Sequence, residues 1–270
     1  MKDKIRADVA LVQQGYFESR EKAQASIMAG VVYIGEQRIS KSSDLVSAHP
    51  VFTIRGSATP YASRGGLKLE KALDVFSADV SGKICMDIGA ATGGFTDVLL
   101  QRGASHVYAI DVGYGQFDWK LRQDPRVTLM ERTNARYLTE NQLHLHPTVT
   151  VMDVSFISIL QILPAAAGIM GAEGVFYTLI KPQFEAGRGN VGKHGVVRDA
   201  AVHADVLQRI VGFVPSMGYG VTGLDYSPIT GPKGNIEFLA QITAGVDNQA
   251  CTTPAAIDEL VRTAHVQLMK

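Results

Sequence analysis

The stretch Met86–Asp97, MDIGAATGGFTD, decides how the chain is read. The run before it, Ser81–Ile88, has the character of a strand with Asp87 near its end, and Phe95–Arg102 that of a helix. Gly89, Gly93 and Gly94 fall in the turn between them, where glycine lets the backbone approach a ligand closely and accept dihedrals that other residues resist. The next strand-like run, His106–Ile110, ends in Asp111, an acid placed to hold ribose hydroxyls of a nucleoside-containing ligand. The spacing Gly-x-x-x-Gly-Gly is not the Gly-x-Gly-x-x-Gly of pyrophosphate binders, and no Gly-Lys-Ser/Thr follows to make a P-loop. An adenosine-containing ligand without phosphates, such as S-adenosylmethionine, fits it better. Read alone, the motif serves equally well as a structural glycine turn, so its neighbours decide.

Downstream, strand and helix signals alternate. Strands are expected at Lys83–Ile88, His106–Ile110, Arg126–Glu131, Thr148–Met152 and Gly174–Ile180, with helices between them. A helix over Ala201–Met217 then precedes two closing strands, Tyr219–Tyr226 and Asn235–Thr243. Five βα units with two closing strands predict an α/β, Rossmann-like fold, a seven-stranded doubly wound sheet. Asp87, Asp111, Asp153 and Lys181 fall at carboxyl ends of the expected parallel strands, the edge where such sheets bind ligands. Lys181 closes the largely apolar run Phe176–Ile180 and is followed by Pro182, which stops the strand; a solvated strand-end lysine is the plain alternative. Glu185–Val197, EAGRGNVGKHGVV, reads as a mobile glycine-rich loop over the sheet edge. Thr253–Met269 reads as a polar C-terminal helix.

Upstream of the glycine turn the chain changes character. Residues 4–55 form a small unit: a helix from Asp8 to Gln14, a second opened by Ser19, and a hairpin of Val31–Ile34 and Arg38–Ser40 turning at Gly35–Glu36. The Gly, Ser and Pro content of Arg55–Tyr61 marks a linker. Net charge over the chain is zero, but residues 1–71 carry eleven Lys/Arg against seven Asp/Glu, a modest basic bias compatible with nucleic acid. Two cysteines, Cys85 and Cys251, are too few for a disulfide framework or a zinc site of known spacing. The longest apolar stretch, Ile157–Ala172, contains Gln161 and Pro164 and is too short to span a bilayer. With no apolar h-region at the N-terminus, a cytoplasmic protein is expected, without a membrane partner and without an obligate protein partner.

Two resemblances sharpen this reading. Tyr16–Gly30, followed by Val31–Ile39, resembles the S4 RNA-binding domain, which implies a small module that docks structured RNA. Lys4, Arg6, Arg20, Lys22, Lys41 and, beyond the linker, Arg64 are the cations available for phosphates; solvated surface charge is the alternative for each. Lys68, Asp153, Lys181 and Glu237 stand in the contexts GGLKLE, MDVSF, LIKPQFE and GNIEF, and this Lys…Asp…Lys…Glu order resembles the tetrad of FtsJ-like ribose 2′-O-methyltransferases. With an S4 module in front, nearly the whole chain is similar to the TlyA family, historically called hemolysin A. Domains are then expected at 1–58 (S4-like, with linker), 59–246 (class I methyltransferase) and 247–270 (helical tail).

The resemblance implies methyl transfer from S-adenosylmethionine to a cytidine ribose of ribosomal RNA, with ribosomal subunits as partners and no metal. It assigns the tetrad to catalysis, with Lys181 at the 2′-oxygen as base if neutral or as stabiliser of the alkoxide if charged. Gly89, Ala90, Gly93, Gly94 and Phe95 would hold the cofactor at the turn, Asp111 its ribose, and Val112 and Asn134 its adenine. Ordinary core packing is the alternative for Phe95 and Val112. A structural ion pair is the stronger reading for Arg132 and Arg136.

Overall fold

The computed structural model describes residues 4–269 apart from 18, 29, 36, 48–49 and 55–58; of Ile54 and Arg188 only the backbone is described. The linker reading at Arg55–Tyr61 and the turn at Glu36 therefore fall partly outside the described residues. The chain divides into two compact units, Met1–Ala58 and Thr59–Lys270.

The first unit strings together β1 (Lys4–Arg6), α1 (Ala7–Gln13), α2 (Arg20–Met28), β2 (Val32–Ile34), β3 (Gln37–Arg38), β4 (Leu45–Ser47) and β5 (Phe52–Ile54). β2 is flanked by antiparallel β3 and β5, and β1 pairs with β4. Ala7, Ala10 and Leu11 of α1 meet Ala23 and Ile27 of α2 in a small apolar core that Val32 and Phe52 complete. At its margin Asp8 is wholly buried, and Arg6 clasps it through two hydrogen bonds of 2.9 Å. Arg20 and Gln24 donate to the same carboxylate at 2.9 and 2.8 Å, tying α2 to α1. The Arg6 hydrogen bonds outweigh burial and, with Arg20 and Gln24, hold the Asp8 carboxyl well below the usual carboxylate range. A depressed carboxylate stabilises the fold above its unfolded value, near pH 4, and that contribution is lost as pH falls towards the folded value. Asp8→Ala is expected to cost about 1–3 kcal/mol at neutral pH, read as faster amide exchange across residues 4–54. Its difference from wild type should shrink in acid, and an undiminished difference would refute the account.

The second unit contains α3 (Gly66–Val75), β6 (Ile84–Ile88), α4 (Gly94–Gln101), β7 (His106–Ile110), α5 (Trp119–Arg122) and β8 (Val127–Met130). It continues through β9 (Val149–Met152), α6 (Leu163–Met170), β10 (Val175–Ile180), α7 (Pro182–Glu185), α8 (Ala200–Phe213), β11 (Tyr219–Tyr226), β12 (Phe238–Ala244) and α9 (Pro254–Leu268). The sheet order is β11-β12-β10-β9-β6-β7-β8, with β6 to β10 parallel and β12 antiparallel to both neighbours. Period-two alternation sends Cys85, Val107, Val151 and Leu179 to the face covered by α3 and α4. Met86, Tyr108, Met152, Phe176 and Ile180 point to the face covered by α6, α8 and α9. The order in which strands are added reverses between β6 and β9, the switch point that opens a crevice at the carboxyl edge.

Two expectations change. The segment read as a tail packs on the sheet unit, because Ile257, Val261 and Ala264 form a buried stripe at helical spacing on α9. The segment Glu185–Val197 begins inside α7 and ends with Val196 and Val197 buried. Asn235 secures that end, accepting from the Val197 backbone N–H and donating to the Gly195 carbonyl, both at 3.0 Å.

Candidate active site

Four elements carry the charged tetrad to one place. Asp153 follows β9, Lys181 follows β10, and Lys68 lies in the first turn of α3. Glu237 immediately precedes β12; because β12 runs antiparallel to β10 and Phe238 faces Ile180, Glu237 arrives at the same sheet edge as Lys181. Lys68 Nζ donates to Glu237 Oε2 at 2.6 Å and lies 3.6 Å from Asp153 Oδ2. Lys181 Nζ is 2.6 Å from Asp153 Oδ1, a close ion pair without hydrogen-bond geometry. The Ser155 hydroxyl takes a hydrogen bond from the same Nζ at 3.0 Å, and Gln183 donates to Glu237 Oε1 at 3.2 Å. Lys68, Lys181 and Glu237 are all buried. Burial pulls the Lys68 ammonium down, but Asp153 and Glu237 more than offset it, and its pKa ends above the ordinary lysine value. Lys68 is therefore a fixed positive charge at neutral pH.

The glycine turn sits beside this tetrad, on the neighbouring strand. Gly89 has φ +86°, and its N–H donates to the Ile110 carbonyl at 2.9 Å. Ala90 is buried, its N–H also facing Ile110. Gly93, at φ +92°, caps α4, while Gly94 packs against Ser63 and the Gly66 backbone with no room for a Cβ. Asp111 accepts from the Ala91 N–H at 2.8 Å and the Gly113 N–H at 2.6 Å, one on each oxygen, which leaves a lone pair on each for a vicinal diol. The recess next to it is lined by Ala91, Tyr114, Phe117, Leu129 and Glu131, among others, but not by Val112 or Asn134. Val112 is exposed rather than core; Asn134 is exposed, its Oδ1 capping the next turn by accepting from Arg136 N–H at 3.1 Å. The Phe95 side chain lies in the core with Leu69 and Val98, so only its backbone faces the turn. Beneath the turn Asp87 is fully buried and accepts from Thr96 Oγ1 at 2.6 Å; burial pushes its carboxyl up to about 7.

The cationic residues separate into kinds. Lys4, Lys22, Lys41 and Arg64 are exposed; Arg6 and Arg20 are about half exposed and bind Asp8. Arg132 and Arg136 lie over the rings of Tyr114 and Tyr137, at 4.3 and 5.6 Å, and among the described residues form no ion pair of the kind expected.

Sequence reasoning passed over several neighbours of the tetrad. Phe156 has φ +66° and is 90% exposed, and its ring centroid lies 5.0 Å from that of Phe184. Both line a cleft of about 520 Å³ with Gln183, Gly187 and Val191. Glu185 is buried and accepts from Ser158 Oγ at 2.6 Å and Ile159 N–H at 2.8 Å, clamping the loop after β9. The motifs DVSFIS and KPQFE contained these residues, but period-based reading treats phenylalanine as core and does not pair a glutamate with a loop 26 residues away.

A family model described as FtsJ-like methyltransferase matches residues 61–243. The 16S/23S rRNA (cytidine-2′-O)-methyltransferase TlyA of Mycobacterium tuberculosis is 42% identical, over 92% of this chain and 92% of its own. The chain belongs to the TlyA family of FtsJ-like methyltransferases. Hemolysin A of Brachyspira hyodysenteriae, also 42% identical, matches over 87% of this chain and 98% of its own. A solved structure described as a "putative hemolysin" from Streptococcus thermophilus is 45% identical, with a TM-score of 0.79 covering 100% of this chain and 98% of that one. This TlyA-family methyltransferase has, among its described residues, no helix long and apolar enough to cross a membrane. The same residues hold no cluster of His, Cys, Asp and Glu suited to a metal.

Proposed function

We propose that the chain transfers the methyl group of S-adenosylmethionine to the ribose 2′-hydroxyl of a cytidine in ribosomal RNA. The observation that carries this is the Lys68–Asp153–Lys181–Glu237 tetrad, assembled at the sheet edge beside the glycine turn. The turn and Asp111 fit the cofactor's chemistry: glycine backbone that a side chain would crowd, and a carboxylate with one spare lone pair on each oxygen. S-Adenosylmethionine bound there supplies an electrophilic methyl on a sulfonium.

The protein's task is to place a poor nucleophile in line and ease loss of its proton. Lys181 Nζ meets the 2′-oxygen, taking its proton as an amine or stabilising the alkoxide as an ammonium. Asp153 holds Lys181 close, and Glu237 holds Lys68 as a fixed positive charge on the other side of Asp153. The exposed Phe156 ring, tilted near Phe184 at the mouth of the cleft, offers an aromatic surface to a nucleobase next to the reacting ribose. The S4-like unit supplies docking through Lys4, Lys22 and Lys41 and the outward faces of Arg6 and Arg20; Arg64, in the second unit, adds a further cation.

The test is transfer of labelled methyl from S-adenosylmethionine to separated, unmodified 30S and 50S subunits. Label at a cytidine that resists alkaline cleavage is the expected result, and the labelled subunit defines the target. No label on either subunit by a chain that still binds the cofactor would overturn the reading in favour of a binding-only factor. Asp111→Ala is expected to weaken cofactor binding by about 1–3 kcal/mol through loss of the ribose contact. Wild-type affinity by calorimetry would remove Asp111 from that role.

A further inference from the structure

Lys181 is held by two partners of different kinds. Asp153 attracts Nζ strongly at 2.6 Å, but as an ion pair without hydrogen-bond geometry, so the pair fixes distance better than angle. Ser155 Oγ lies 3.0 Å from the same atom. A hydroxyl both donates and accepts, so it can accept from an ammonium and donate to an amine without moving. Asp153, acceptor-only while ionised, cannot make that exchange. Lys68, the second cation on Asp153, is paired with Glu237, and the Phe184 ring centre is 6.0 Å from Lys181 Nζ.

The loop that carries Ser155 is built to keep it there. Glu185 grips the loop's far end through Ser158 and Ile159. Between the two anchors Phe156 takes φ +66°, a left-handed conformation that costs a bulky residue energy and turns the chain sharply after Ser155. An exposed serine on an unanchored loop would trade Lys181 for water.

Resting on the methyltransferase reading above, we propose that Ser155 is a positioning residue for Lys181. Its hydroxyl supplies the directional contact that keeps Nζ over the reacting oxygen whether the lysine carries its proton or not. Because Ser155 acts through Lys181, its removal should slow the chemical step and leave binding of both substrates alone.

Ser155→Ala and Ser155→Thr in the full chain provide the test, by single-turnover methyl transfer at saturating cofactor and RNA. The alanine variant is expected to be about 10–100-fold slower, with cofactor affinity and half-saturating RNA concentration within about twofold of wild type. Threonine, which keeps the hydroxyl, should restore most of the rate. A readout independent of turnover is proton exchange at Lys181 Nζ, followed in [15N]lysine-labelled protein and assigned with Lys181→Arg; it should accelerate in the alanine variant. Wild-type rate in Ser155→Ala, a threonine variant as slow as alanine, or unaltered Nζ exchange would each overturn the proposal. A wild-type chain inactive on ribosomal RNA would instead count against the substrate reading, and the exchange comparison would still decide the role of Ser155.

Discussion

Lys181→Ala should lose about 10²–10⁴-fold in kcat while binding S-adenosylmethionine as wild type does. The separation follows from where the parts sit. Lys181 ends β10, and the glycine turn and Asp111 end β6 and β7, so truncating the lysine removes no contact that shapes the turn. It does leave Asp153, among the described residues, with Lys68 as its sole cationic partner, 3.6 Å away. The site then lacks a positive group at the reacting oxygen and holds two carboxylates against one ammonium. Lys181→Arg sharpens the reading: a guanidinium keeps charge but does not give up its proton at working pH. Substantial activity in the arginine variant would favour electrostatic stabilisation, and loss equal to that of alanine would favour proton removal. Full activity of Lys181→Ala would end its role altogether.

Gly89→Ala is expected to fail differently, losing cofactor binding, stability and turnover together. At φ +86° an alanine is strained, and its Cβ would stand 2.7 Å from the Asp153 carbonyl oxygen and 3.2 Å from Val154 Cγ1. The first of these is backbone at the end of a central strand, so it cannot swing aside. Nor can the turn retreat, because Gly89 N–H is tied to Ile110. Strain and overpacking together should cost about 2–4 kcal/mol, measured by urea unfolding, with calorimetric affinity for S-adenosylmethionine falling in parallel. A variant with wild-type stability and affinity would show that the turn does not have this geometry in solution.

The fold was legible where the period-two pattern was strong. His106–Ile110 and Tyr219–Tyr226 were read with the observed bounds, and the other parallel strands differ only by frayed ends. β12 begins at Phe238 rather than Asn235 because Asn235 is engaged with the loop ending at Val197. In the first unit β1, β4 and β5 were missed: three-residue strands are too short for an alternation to declare itself, and the equally short β2 and β3 were legible only through the turn between them. Asp153 and Lys181 were readable as strand-end groups, but the full tetrad only through a family resemblance, since no local spacing joins Lys68 to Glu237, 169 residues apart. Asp8 shows the limit of charge counting. One buried acid among the basic residues turns Arg6 and Arg20 from apparent surface charge into structural clasps.

The antiparallel pairing of β10 with β12 sets a rule for insertions and deletions. Between Lys181 and Glu237 lie α7, α8, β11 and their loops, and length changes in the exposed connections need not reach the site. The register Ile180↔Phe238 is different. Strand side chains alternate faces, so one residue added between Glu237 and Phe238, with β12 still in register, would turn the carboxylate to the opposite face of the sheet. The carboxylate would leave Lys68, although every ladder hydrogen bond could still form. Among variants of this chain, a one-residue insertion at that point should thus yield folded but silent enzymes, while larger changes in the exposed connections of the same interval are tolerated.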